Sequence, residues 1–160
     1  MKVYISILMV ICLGCKKHPA ASEYSNDLQN LKKVISLTIL PKRVQFEIDS
    51  AKVEREGVGL NDAPHGVRHL IAVMTYTKID FDSIKESFAD DEHQINLVFS
   101  RRAFKEWLPY NFKQKFIPVE DYGYTIEGQS FFPEEFRPGS KNGFVSLDVK
   151  SNQVYLFLEY

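Results

Sequence analysis

A chain of 160 residues, 44% hydrophobic and 13% aromatic, carries enough apolar mass for one core and too little length to favour two. Its formal charge of −1, from 20 basic and 21 acidic residues, gives no reason to expect nucleic acid as a partner, because phosphate binding calls for a strong positive excess. Both cysteines, Cys12 and Cys15, lie near the N-terminus, so the chain from Lys16 to Tyr160 can form neither a disulfide nor a zinc–thiolate site and must be held by packing.

The first element is an address. Lys2 gives a short positive start, and Val3 to Leu13 form an apolar run of 11 residues broken only by Ser6. A membrane-spanning helix needs roughly 20 such residues, whereas this length suits the apolar region of a secretory signal, with the small Gly14 placed where a peptidase cuts. A buried first element or an uncleaved anchor are the alternatives; the shortness of the run and the abrupt Lys16-Lys17-His18-Pro19 weigh against both.

The ending Cys12-Leu13-Gly14-Cys15 resembles the lipobox of bacterial lipoprotein precursors, although Cys12 and Leu13 stand where that family usually has Leu and a small residue. The resemblance implies cleavage after Gly14 and a diacylglyceryl group on Cys15, which becomes the first residue of the mature chain. Cys12 is the poorer acceptor because the bulky, β-branched Ile11 precedes it. Two acyl chains, at about 0.8 kcal/mol per buried CH₂, anchor far more firmly than one. Lys16 and Lys17 would lie beside the headgroups. Lys16 is also not the aspartate that retains lipoproteins at the inner membrane in the enterobacterial version of the family, so the resemblance points to the outer membrane of a bacterial cell envelope.

Residues 15–27 then read as a lipidated N-terminus and flexible tether, after a signal peptide at 1–14 and before a single globular domain at 28–160. Leu28, Leu31, Val34 and Ile35 recur at helical spacing behind a cap at Asn26 or Asp27. Val44, Phe46 and Ile48 alternate with polar residues as in a half-buried strand, and Gly57 to Gly66 is turn-rich. Arg68–Thr77 reads as a central strand, Asp80 or Asp82 as the cap of a helix carrying Ile84 and Phe88, and Ile95–Phe99 as another strand. Ser100 is placed to cap a short helix with Phe104, Trp107 and Leu108. Residues 143–160 show two alternating runs about Lys150-Ser151-Asn152, the pattern of a β-hairpin. Interleaved strands and short helices without a βαβ repeat predict an α+β fold with a mainly antiparallel sheet, two or three short helices and a C-terminal hairpin; the alternative is a small β-sandwich.

No nucleophile elbow, phosphate loop or zinc-protease motif is present, and no catalytic or metal-binding residue and no cofactor is assigned. His65 and His69 are four apart, a metal-ligand spacing on a helix, but Gly66 and the following strand-like run oppose a helix there. His93, Glu120, Asp121, Glu127, Glu134 and Glu135 show no spacing that selects a catalytic pair. Tyr110–Phe136, just after Pro109, holds eight aromatics broken by Pro118, Pro133 and Gly123. Some must fill the core, and rings on loops offer contact area to a protein, peptide or glycan. Tyr122, Tyr124, Phe131, Phe132 and Phe136 are the candidate partner-binding residues. The expected function is a lipid-anchored envelope lipoprotein acting as a non-enzymatic binding or structural module, for example an immunity-type or assembly accessory protein. The alternative is an envelope hydrolase using carboxylates or a histidine–metal site.

Overall fold

The computed structural model describes residues 24–50, 68–89, 98, 101–120, 123–140 and 142–160. In chain order these form α1 (Leu28–Leu31), β1 (Arg43–Ser50), β2 (Arg68–Thr75), α2 (Lys78–Ser87), a 3-10 turn (Arg101–Ala103), α3 (Tyr110–Lys113), β3 (Phe116–Val119), β4 (Gly123–Ile126), β5 (Ser130–Phe131), a second 3-10 turn (Pro133–Glu135), β6 (Gly143–Asp148) and β7 (Gln153–Glu159). Five strands pair antiparallel in the order β1-β2-β7-β6-β5, and β3 and β4 form a separate antiparallel ribbon. The fold is the expected α+β, with the expected C-terminal hairpin as β6 and β7.

The unbroken apolar run of β2 follows from burial on both faces of the sheet. Leu70, Ala72 and Met74 join Val154, Leu156 and Leu158 of β7 on one face, where Leu31, Phe81, Ile84 and Phe88 cover them. Ile71 and Val73 join Tyr155 and Phe157 on the other, beneath Ala103, Leu108, Phe112, Phe116 and Ile126. Residues 101–120 and 123–126 therefore act as a cover for the second face. Where β6 pairs with β7 the backbones come close: Gly143 has φ +130°, and a Cβ there would collide with the Phe157 carbonyl oxygen, so only glycine lets β6 approach β7 this closely.

Several local expectations change. The first helix stops at Leu31, one turn after its Asp27 cap, although Ile35 is still buried. Helix α2 starts behind Thr77, not Asp80 or Asp82: the Thr77 hydroxyl oxygen accepts from the Asp80 N–H at 3.1 Å and donates to the Asp80 carboxylate at 2.7 Å, a reciprocal cap. The helix expected around Phe104, Trp107 and Leu108 is absent among these described residues. Pro109 disfavours helical geometry at Leu108, and the one-turn α3 begins after it. The expected strand Ile95–Phe99, apart from Val98, and the turn-rich Gly57–Gly66 lie outside the described residues.

Part of the segment read as a tether, residues 24–27, is among the described residues. Ser25 donates its N–H to the Phe46 carbonyl at 2.7 Å and accepts from the Phe46 N–H at 2.9 Å, which pins the chain to the outer edge of β1 before α1 begins.

Candidate functional site

The second face of the sheet is apolar at its centre and polar at both ends. Asp49, His69 and Glu159 stand in register across β1, β2 and β7. The buried His69 ring stacks on Phe157, with centroids 6.0 Å apart. Its Nε2 lies 3.3 Å from Glu159 Oε1 and its Nδ1 3.4 Å from an Arg102 guanidinium nitrogen. The two ring nitrogens thus face a carboxylate on one side and a guanidinium on the other. One row further in, Glu47 accepts from Lys105 Nζ at 2.6 Å and from Trp107 Nε1 at 2.8 Å, and Lys105 also lies 3.8 Å from Asp49.

At the opposite end, the Asn111 amide donates to Asp148, to Ser151 Oγ at 3.2 Å and to Gln153 Oε1 at 3.1 Å. Burial works to raise the Asp148 carboxyl, but hydrogen bonds from Ser151 and Asn111, the Lys115 charge and the Lys150 backbone together hold it below its ordinary value. Lys115 donates to the Leu147 carbonyl at 2.8 Å and lies 5.3 Å from the Phe112 ring centroid. Burial pushes its ammonium down, against the carboxylates of Asp148 and Glu127. Between the two ends, the fully buried Tyr155 hydroxyl donates to the Ala103 carbonyl. These contacts fasten the cover to the sheet at three places.

The predicted aromatic set does not form one surface. Phe131 and Phe136 are buried on the first face, 4.9 and 6.5 Å from Phe88, so their rings are committed to the core and not exposed to a partner. Tyr124 and Phe132 pack against the second-face cluster, with Tyr124 stacked 5.2 Å from Phe104. The sheet thus separates the set, because a two-sided core needs rings on both faces. Tyr122, Cys15, His65 and His93 lie outside the described residues. Sequence reasoning passed over Tyr110 and Ile117, which are 73% and 46% exposed. Among the described residues no group of three or more His, Cys, Asp or Glu could hold a metal ion.

Two concavities flank the place where Ser25 joins β1. A groove of about 400 Å³ is lined by Asn30, Lys33, Val34, Phe46 and Ile48, and a basin of about 520 Å³ by Asn26, Lys42, Arg43, Gln45, Thr75 and Gln153. Tyr24 sits beside Trp107, with ring centroids 5.5 Å apart. A third cleft, of about 390 Å³, opens between α2 and the β4–β5 turn and includes Lys85, Lys115 and Glu127.

Fold and contacts together define an α+β domain: a five-stranded antiparallel sheet between a helical layer and a side-chain-fastened cover. No family model matches the chain, and no curated protein or solved structure matches it.

Proposed function

We propose that this chain is a lipid-anchored lipoprotein of the bacterial cell envelope, held through Cys15 and placed at the outer membrane, whose body is a non-enzymatic binding module for a protein, peptide or glycan. The binding part of this reading is carried by how the cover divides its residues. Lys105, Asn111 and Lys115 turn inward to Glu47, Asp148 and Leu147, while Tyr110 and Ile117 turn outward. The same layer buries Leu108, Phe112 and Phe116 against the sheet as a solvent-facing layer ordinarily does, so Tyr110 and Ile117 are apolar area that its own core does not use. Exposed tyrosine and isoleucine on a layer so fastened offer rigid contact area at low entropic cost.

Two measurements test the proposal. Palmitate labelling of the full-length protein in a bacterial host should mark the wild type and not Cys15→Ser; equal label in both removes the anchor. A photo-crosslinking residue at Tyr110 or Ile117 should give a discrete adduct in the native envelope, whereas the same residue at Ile79, 79% exposed on α2, should not. Equal adducts at all three positions, or none, remove the binding surface.

A further inference from the structure

Where the chain joins the sheet, cations gather without ionic partners. Lys33 lines the groove beside Ser25, and Lys42 and Arg43 line the basin beside Asn26, so the junction is flanked on both sides. All three are exposed. Lys33 Nζ donates at 2.8 Å to the neutral Asn30 amide oxygen, and among the described residues none of the three forms an ion pair. The neighbouring acids are turned to internal donors. Asp27 accepts from the backbone of Gln29 and Asn30, Glu47 accepts from Lys105 and Trp107, and Asp49 faces Lys105. Two residues before Lys42, Leu40 is 51% exposed.

We infer that this edge of the domain is a membrane-facing surface, with Lys33, Lys42 and Arg43 set against the anionic headgroups of the bilayer that holds Cys15. The inference rests on the lipid-anchored reading and adds an orientation to it. From Cys15 to Ser25 is a span of ten residues, at most about 35 Å when fully extended, and Ser25 is fixed to Phe46. The chain thus enters the domain at this edge, and the charge of the edge selects it from among the faces that a tether of that length lets approach the lipid. Each Lys or Arg held at an anionic surface favours the docked arrangement about fivefold, so the three together favour it about 100-fold.

Trp107 is the only tryptophan and lies beside Tyr24, so energy transfer from it to a dansyl headgroup reports how near this edge is to the bilayer. The full-length protein, purified from bacterial membranes, is placed in phosphatidylcholine vesicles with and without phosphatidylglycerol. Transfer should be higher on the anionic vesicles and should fall to the neutral value in 1 M NaCl, where the Debye length shrinks to about 3 Å. The triple variant Lys33→Gln, Lys42→Gln, Arg43→Gln should lose the difference while keeping its circular dichroism. Equal transfer on both vesicle types, or a triple variant that retains the full difference, overturns the inference. Flotation with neutral vesicles reads the anchor separately: protein that floats but shows no anionic preference refutes only the orientation, whereas protein that neither floats nor carries acyl chains refutes the anchored reading and the orientation with it.

Discussion

The Trp107 indole N–H donates to Glu47 across 2.8 Å, joining two residues sixty positions apart and tying the cover to an edge strand. Lys105 shares the same carboxylate, and the Lys105 and Glu47 side chains are only 19% and 16% exposed. Replacing Glu47 by Ala leaves an indole donor and a largely buried ammonium without their acceptor, so the variant should lose about 2–4 kcal/mol of stability. Glu47→Gln keeps an acceptor for the indole and should lose less. Urea denaturation followed by circular dichroism and Trp107 emission measures both; an unchanged midpoint in Glu47→Ala would show that the cover is held by apolar contact alone.

Acid should weaken the opposite end. The Asp148 carboxyl is held below its ordinary value in the folded chain, so the unfolded chain takes up that proton more readily. The stabilisation is then fully present above the unfolded carboxyl value of about 4 and is lost as pH falls through the folded value. Stability of the wild type should decline more steeply with acidification below about pH 4 than that of Asp148→Asn, which cannot titrate. Parallel pH–stability curves for the two would contradict this assignment.

Gly143 and Gly139 separate steric closeness from backbone freedom. Both have positive φ, at +130° and +76°, but only at Gly143 would a Cβ collide with backbone, at the Phe157 carbonyl oxygen; nothing lies within 4 Å of the corresponding position at Gly139. Gly139→Ala should cost about 1–2 kcal/mol for its left-handed backbone. Gly143→Ala should cost more, about 3 kcal/mol or above, since the β7 backbone must shift. Thermal unfolding of the two variants compares them directly, and equal losses would disprove the close approach of β6 to β7.

Core and surface aromatics of one segment should also part company. Phe131→Ala and Phe136→Ala each empty a buried site and should lose about 3–5 kcal/mol. Tyr110→Ala, at an exposed ring, should change stability by no more than about 0.5 kcal/mol. A Tyr110→Ala loss as large as that of Phe131→Ala would place the ring in the core after all.

These contrasts mark what the residues disclose by themselves. Alternation of Val44, Phe46 and Ile48, and of Val154, Leu156 and Leu158, reports strands with some buried face, and β1, β6 and β7 follow it. The same alternation cannot say whether the opposite face is also covered. The continuous apolar stretches of β2 and of β7, Val154–Leu158, carry that information, and the rings of Phe112, Phe116 and Phe131 fill the two cores that they imply. The ribbon β3–β4 escaped sequence reading because Pro118 sits within β3 and each strand is four residues long, too short for a period to register. The pairs Glu47–Trp107 and Asn111–Asp148 are unreadable for another reason: they join distant segments, and nothing in the local pattern marks either partner.

β7 bonds to β2 on one side and β6 on the other, yet it follows both in the chain. During synthesis the β1–β2 and β5–β6 pairs must therefore wait as separate pieces for the strand that unites them, because no sheet can close around a centre not yet made. Such a chain completes its sheet only once β7 is present, so loss of its final strand would cost the whole architecture and not merely one edge.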